Sequence, residues 1–255
     1  MKAVWKILIV LFAALLAGVA LWAVLLKQDV TPGASREKSL RTLAVSKDVV
    51  IYFNSGGWGN TPVEQATDFT PVLYGVRDTL ALQGYSTVII PFERTTSGIS
   101  GKVADIKDFL VSFKYSGEAL ANEVKFITDT MPGKQVVIVG YSNGGALTEK
   151  AMHGLEDNTS VYAVVAGVPR WYQDFTSSRL LILTNNGQDR LSDGNIGALA
   201  VAVIEAPFKW LRAKIEHQTL NFARAIEIPG HQYPWTSDLV DPPITGFIDS
   251  YFKSR

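Results

Sequence analysis

Residues 140–144 form a G-x-S-x-G pentapeptide whose residue types and spacing suit a nucleophilic serine. A β-branched run at 135–139 indicates a buried strand before it, and residues 145–152 have the composition of a helix after it. A sharp strand-to-helix turn places its middle residue on a strained, accessible tip, and flanking glycines allow close backbone passage. We therefore expect Ser142 to act as a nucleophile; the alternative is a glycine-rich turn with no chemistry.

A serine nucleophile requires a base, and the chain has three histidines that could supply one. Loops that follow the carboxyl ends of parallel strands carry such groups. His231 comes shortly after a predicted strand at 225–228, so we expect it to be the base. His153 falls on the helix after the serine and His217 in a predicted helix at 214–222, which favours structural or surface roles for both.

A third group must orient the base, and the segment after a predicted strand at 180–183 offers two carboxylates. Asp189 follows a glycine turn close to the end of that strand, and we expect it to be the acid. Asp193 is the alternate. Both could instead cap turns, which is a frequent use of aspartate beside glycine.

An oxyanion that forms during acyl transfer needs preplaced N–H donors. We expect one from Asn143, which directly follows the serine at a helix N-terminus. The other is expected from the glycine-rich loop after the first predicted strand, and its candidates are Gly56, Gly57 and Trp58. This loop lacks the G-x-x-x-x-G-K-[ST] pattern, which argues against a nucleotide-binding role.

The elements that must position these groups alternate along the chain. Predicted strands lie at 49–53, 87–91, 135–139, 161–166, 180–183 and 225–228, and predicted helices at 69–83, 115–131, 145–152 and 244–252. This alternation predicts an α/β fold with a mostly parallel sheet and helices on both faces. The unusually apolar stretch at 195–211 is expected to be a packed crossover helix or, alternatively, a lid or acyl-pocket wall.

Composition excludes several classes of function. Lysine plus arginine and aspartate plus glutamate are equal at 24 each, so no basic field favours nucleic acid. The absence of cysteine excludes disulfides and thiolate metal sites, and the histidines lack a metal-ligand spacing. We therefore expect neither a metal nor any other cofactor.

The N-terminus carries 20 uncharged residues at 7–26, enough for a helix to cross a bilayer. We expect a signal-anchor transmembrane helix at 1–27, a polar linker at 28–47 with a short edge strand at 43–46, and a catalytic domain at 48–255. The domain is expected on the exported side of a single-pass membrane protein. The alternative is a signal peptide that is cleaved after Ala20 to release a secreted protein.

Residues 48–255 resemble the α/β-hydrolase family, of the serine esterase and lipase type. The resemblance rests on the glycine-rich loop after Phe53, the pentapeptide at 140–144, and the chain order Ser142, Asp189, His231. It implies a Ser-His-Asp triad that cleaves a carboxylic ester or thioester, with a small or lipid-like acyl substrate, through an acyl-enzyme.

The chain also departs from that family in two places. The loop begins Asn54-Ser55-Gly56-Gly57, where many esterases have a His-Gly start. The region before Val49 is too short for the usual antiparallel strand pair, which suggests a reduced sheet as in cutinase-like members. Two other functions stay open, namely a serine peptidase or amidase and a non-catalytic, membrane-tethered binding module.

Overall fold

The computed structural model describes residues 18, 31–57, 59, 61–94, 99–218, 225–226 and 228–255. The strands are β1 (Val49–Asn54), β2 (Thr87–Pro91), β3 (Gln135–Tyr141), β4 (Val161–Ala166) and β5 (Leu180–Leu183). The α-helices are α1 (Ala34–Ala44), α2 (Thr70–Leu82), α3 (Ile99–Leu110), α4 (Lys114–Thr130), α5 (Asn143–His153), α6 (Ile196–Ile215) and α7 (Asp241–Tyr251). Short 3-10 helices lie at Val63–Gln65, Arg170–Tyr172 and Asn185–Gly187.

The strands form a five-stranded, all-parallel sheet in the order β2-β1-β3-β4-β5. The order reverses between β1 and β3, which are neighbours with Val49 beside Gln135 and Asn54 beside Gly140. In open parallel sheets, loops that diverge at such a reversal leave a crevice at the carboxyl edge. The glycine-rich loop after β1 and the pentapeptide after β3 therefore flank this crevice.

Helices cover both faces of the sheet, because the β-branched strands are apolar on both sides. On one face, helices α1, α4 and α5 bury apolar side chains against alternate strand residues such as Val50 and Ile138. On the other face, α2 and α7 pack against the intervening residues, such as Ile51 and Val137. The expected α/β class and helix-covered parallel sheet are confirmed.

The segment 34–44, within the region expected to be a linker, is a helix that packs on the domain. Leu40 and Ala44 are fully buried in the core, so the edge strand expected at 43–46 is wrong. A polar contact reinforces the packing, since Arg36 forms a two-point ion pair with Glu123, which also accepts a hydrogen bond from Tyr52. The sequence pattern did not predict this helix, because its core-facing side has only one large apolar residue that is fully buried, Leu40.

The strand expected at 225–228 is also wrong. Ala225 is helical, while Ile226 and Ile228 are irregular. The following Pro229 carbonyl accepts a hydrogen bond from the backbone of Arg190, so this segment packs on the loop after β5 rather than extending the sheet. Its isoleucines contact the same small apolar cluster as Leu191 and Ala202.

Helix α6 occupies the apolar stretch expected to be a crossover helix or a lid. Asn195 caps it by accepting a hydrogen bond from the Ala198 backbone at 2.9 Å. Its buried residues are alanines, at 202, 206 and 213, whereas its large aliphatic and aromatic residues are mostly exposed.

The predicted anchor at 7–26 lies outside the described residues, apart from Gly18. Within the ranges that the structure describes, no helix combines the length and the hydropathy needed to cross a bilayer.

Candidate active site

The turn after β3 strains Ser142. Its φ and ψ are 53° and −120°, a region that L-residues rarely adopt. The turn is fixed on both sides, because the Ser142 backbone N–H donates to the Ala166 carbonyl at 2.9 Å and Ala146 N–H donates to the Ser142 carbonyl at 3.1 Å. The predicted strand-turn-helix is confirmed, and Ser142 stands at its apex.

Two glycines of the pentapeptide allow this turn to pack. A Cβ at Gly144 would lie 2.2 Å from the Asn54 carbonyl oxygen at the end of β1, and a Cβ at Gly140 would lie 2.5 Å from the Thr148 hydroxyl. Both distances are too short for any real side chain. Helix α5 can therefore start directly beside the end of β1, which places the turn that carries Ser142 against the loop that follows β1.

That loop approaches Ser142 through Gly56. A Cβ at Gly56 would lie 3.4 Å from Cβ of Ser142 and 3.3 Å from the Tyr141 carbonyl oxygen. The Gly57 carbonyl accepts a 3.4 Å hydrogen bond from the Asn143 side-chain amide. Three of the expected oxyanion residues, Asn143, Gly56 and Gly57, thus lie together beside Ser142; the fourth, Trp58, lies outside the described residues.

Arg94 ties the glycine-rich loop to the rest of the domain. Its guanidinium donates to the Gly57 carbonyl and, at 2.5 Å, to the carboxylate of Asp105 on α3. The backbone of Arg94 also donates to Gly59, which has a φ of 68°. The Arg94 side chain is almost fully buried and its guanidinium lies over the Phe113 ring. Arg94 could not be singled out from the sequence, because a single arginine after a strand usually lies in solvent.

The structure brings Asp189 and His231 into contact. Nδ1 of His231 lies 2.9 Å from Oδ2 of Asp189, and the same oxygen accepts hydrogen bonds from the hydroxyls of Tyr233 and Ser192. The other oxygen accepts from the Leu191 and Ser192 backbones. Asp189 is fully buried, and five hydrogen-bonding groups therefore fix its carboxylate.

Burial acts to raise the pKa of Asp189, but this effect is outweighed by the hydrogen bonds from His231, Tyr233 and Ser192 and by the charge of His231. The net pKa lies below its ordinary value, so the carboxylate is ionised at neutral pH. Asp193, the alternate acid, is exposed and donates its backbone N–H to the Asp189 carbonyl at 3.0 Å. Of the two carboxylates, Asp189 is the one beside the histidine.

Contacts with Tyr141 and Gly167 place His231 next to the turn that carries Ser142. Its ring stacks on the Tyr141 ring at 5.0 Å between centroids, and the Tyr141 hydroxyl donates to the His231 carbonyl. Its ring also lies on the backbone of Gly167, where a Cβ would come within 2.5 Å. Tyr141 directly precedes Ser142, and Gly167 directly follows Ala166, whose carbonyl accepts the Ser142 N–H. The expected base, His231, and the expected nucleophile, Ser142, therefore lie at the same edge of the sheet.

The other two histidines lie elsewhere. His153 is on the last turn of α5, exposed, and pairs with Glu156 at 2.6 Å. His217 is in a turn after α6 with a φ of 54°, whereas a helix was expected there. Among the residues that the structure describes, no three His, Asp or Glu side chains cluster closely enough to hold a metal ion.

A cavity of about 380 Å³ adjoins the glycine-rich loop. Its walls are mixed in polarity and come from the ends of β1 and β2, the loop, and α2; they include Phe53, Ser55, Gly59, Val63, Tyr74 and Phe92. Phe92 contributes aromatic surface to this cavity. Two tryptophans lie elsewhere, since Trp235 packs against Gly75 of α2 and Trp171 is 42% exposed beside Tyr172.

No family model matches the chain, and no curated protein matches it. Among solved structures, the chain is similar to a Trichoderma reesei cutinase in complex with a C11Y4 phosphonate inhibitor, with a TM-score of 0.41 and 19% sequence identity. The match covers 62% of this chain and 73% of the cutinase chain.

Proposed function

We propose that the protein is a membrane-anchored serine hydrolase that cleaves a carboxylic ester or thioester through Ser142, His231 and Asp189. The observation that carries this proposal is the contact between His231 and a fully buried, ionised Asp189, at the edge of the sheet where a strained Ser142 stands. A protein that used this fold only for binding would need neither the backbone strain nor the buried carboxylate.

The tautomer of His231 follows from the charge of its partner. An ionised carboxylate only accepts hydrogen bonds, so Nδ1 of His231 carries the proton that faces Asp189. Nε2 is then unprotonated and can take the proton of the Ser142 hydroxyl. Ser142 Oγ attacks the acyl carbonyl, and the resulting tetrahedral oxyanion is stabilised by N–H groups of Asn143 and the Gly56–Gly57 loop.

Collapse of this intermediate breaks the bond to the leaving group. His231 gives its new proton to the departing alcohol or thiol, and the acyl group stays on Ser142. A water molecule that loses a proton to Nε2 of His231 then attacks the acyl-enzyme, and the acid is released. Asp189 stays ionised throughout and stabilises the imidazolium that forms in each half-reaction.

In this proposal, the cavity beside the glycine-rich loop binds the acyl or alcohol group of the substrate, which is small or lipid-like. Tyr74 and Phe92 provide aromatic surface there, and the lining also includes Ser55 and Gly59, which flank the expected oxyanion donors of the loop in sequence. The uncharged residues 7–26 would hold the domain at a membrane, where such substrates concentrate.

A fluorophosphonate probe tests the nucleophile directly. We expect the full chain to be labelled on the peptide that contains Ser142, as identified by mass spectrometry, and His231→Ala to abolish labelling. His153→Ala, which removes an exposed histidine, is the matched control and should label normally. Absence of label on the folded wild-type chain would contradict the proposal. A panel of aryl esters, thioesters and anilides of one acyl group then identifies the bond cleaved.

A further inference from the structure

We infer that the exposed face of α6 is a membrane-docking surface that inserts into the interface of a lipid bilayer. This inference extends the membrane-anchored hydrolase proposed above. The observation behind it is the pattern of burial along α6. A helix of a soluble domain normally turns its large apolar side chains towards the core, and α6 shows the reverse. In α6 the buried positions are Ala202, Ala206 and Ala213.

The large residues form a stripe along the outside of α6. Ile196, Ile204, Phe208, Leu211 and Ile215 recur at spacings of three, four or eight residues, and each is more than half exposed. Such spacings place them on one side of an α-helix. A continuous apolar surface of this kind, on a helix whose alanine side is packed, has the form of an amphipathic helix that lies in a membrane interface.

The charges beside the stripe favour a lipid interface over an acidic or basic partner. Lys209 pairs with Glu205 at 3.2 Å, and Arg212 pairs with Glu216 at 2.7 Å, each one helical turn apart. These pairs nearly cancel the charge of the flank. The surface therefore lacks a strong field of either sign and depends on its apolar side chains, which suits a zwitterionic bilayer.

The proposed anchor before the domain would hold a bilayer close to α6. Residues 7–26 are long and apolar enough to span one, and residues 28–33 are all that separates Lys27 from helix α1. Six residues reach at most about 20 Å when fully extended. A domain held this close to a bilayer touches it repeatedly, so an exposed apolar stripe on its surface has a lipid surface as its nearest partner.

The position of α6 relates this surface to the site. Helix α6 begins seven residues after Asp189. Backbone hydrogen bonds hold the loop between them, from Asn195 N–H to the Arg190 carbonyl and from Asp193 N–H to the Asp189 carbonyl. Ala202 of α6 packs with Leu191 and with Ile228, three residues before His231. Insertion of the stripe would therefore bring the catalytic edge of the sheet to the lipid interface.

The chain has no cysteine, so a single introduced cysteine reports on one position. We propose Phe208→Cys, on the stripe, and Lys209→Cys, the neighbouring residue on the charged side, in the full chain reconstituted into phosphatidylcholine vesicles. Each is labelled with bimane and exposed to two quenchers, doxyl groups on the lipid acyl chains and iodide in the buffer.

We expect the label at position 208 to be quenched several-fold more by doxyl lipid than the label at 209, and the label at 209 several-fold more by iodide. Three results would overturn the inference: equal quenching of both labels by lipid, full access of iodide to position 208, or protection of position 208 from both quenchers, which indicates a second protein chain on the stripe. Hydrolysis of a water-soluble ester by both labelled proteins is measured in parallel, so that loss of the proposed activity is distinguished from failure to dock.

Discussion

Tyr233 and His231 share one oxygen of Asp189, at 2.7 Å from the Tyr233 hydroxyl and 2.9 Å from Nδ1 of His231. The tyrosine therefore helps to fix the orientation of the carboxylate beside His231, and it helps to keep the pKa of Asp189 low. The spacing of two residues between His231 and Tyr233 in an irregular segment lets one short stretch of chain supply both partners.

Removal of this hydroxyl should weaken catalysis without abolishing it. A hydrogen bond to a charged group contributes about 1.5–3 kcal/mol, and Tyr233→Phe leaves Asp189 with its other donors. We expect kcat/KM to fall about tenfold and the melting temperature to fall by a few degrees. Tyr251→Phe is the matched control, because it removes a tyrosine hydrogen bond to the Ser178 carbonyl away from the site. Equal activity in the two variants would contradict a role for Tyr233.

The strain at Ser142 makes a prediction about stability. Backbone conformations of this kind cost about 1–3 kcal/mol in non-glycine residues, and glycine adopts them freely. Ser142→Gly should therefore have a free energy of unfolding about 1 kcal/mol higher than that of Ser142→Ala, which keeps the strain. Both variants lack the nucleophile and should be inactive. Denaturant unfolding measures the difference, and an alanine variant as stable as the glycine variant would show that the turn is relaxed.

Arg94 should act on catalysis through the loop that it holds. Arg94→Lys keeps a positive charge near Asp105 but cannot reach both this carboxylate and the Gly57 carbonyl with the geometry of a guanidinium. We expect kcat to fall about tenfold while KM changes little, because the expected oxyanion donors act mainly in the transition state.

Arg255→Lys is the control for Arg94→Lys, since Arg255 pairs with Asp48 in an exposed contact just before β1, away from the carboxyl edge of the sheet. A variant of Arg94 that raised KM and left kcat intact would place this residue in substrate binding instead. Arg94→Gln is less informative, because it leaves a buried Asp105 unpaired and should cost about 3–5 kcal/mol of stability.

Because of Glu149, we expect the free energy of unfolding to fall as the pH rises. The residue is buried in α5, and its carboxylate oxygens make no well-formed hydrogen bond among the described residues, with only the Phe175 backbone as a more distant donor. Burial, together with the charge of Asp174, raises the pKa of Glu149 to about 8, and the backbone of Phe175 offsets part of this effect. In the unfolded chain the pKa is about 4.3. The folded state therefore binds the proton more tightly, and its stability declines between these two pH values.

Glu149→Gln removes this titration and keeps the shape of the side chain. We expect its free energy of unfolding to exceed that of the wild type by about 3–5 kcal/mol at pH 8, with little difference at pH 4.5. Glu118→Gln, at an exposed position of α4, is the control and should show no such dependence. A difference that is the same at both pH values would mean that Glu149 does not carry the proton.

The sheet could be predicted because its strands are short β-branched runs between turn residues, and all five runs at 49–183 form strands. The run at 225–228 failed for a physical reason, since its two isoleucines are held by Leu191 and Ala202 of a loop and a helix rather than by a strand edge. Pattern alone cannot distinguish these partners. Helix α1 could not be predicted because its residues are mostly polar. Helix α3 could not be predicted because the sequence just before it has no clear hydrophobic periodicity.

At the site, Ser142 and Asp189 follow the carboxyl ends of parallel strands, and His231 lies at the same edge of the sheet. These three residues could therefore be proposed from their positions in the sequence. Their catalytic roles stay predictions. Tyr233 and Arg94 could not be found in this way. Each acts through a contact with a residue far away in the chain, Asp189 for one and Gly57 for the other, and such contacts depend on how the loops meet.

Helix α1 has a consequence for how the protein would search a membrane. Its packing through Leu40 and the ion pair between Arg36 and Glu123 make it part of the domain, so only the six residues at 28–33 separate the folded domain from Lys27 in the sequence. A short connection confines the domain to a thin layer of space and raises its effective concentration at the bilayer into the millimolar range. If residues 7–26 anchor the domain as proposed, weak individual contacts with lipid would suffice for continuous residence, and a hydrolase of the proposed kind would process substrates within reach of that anchor rather than those in solution.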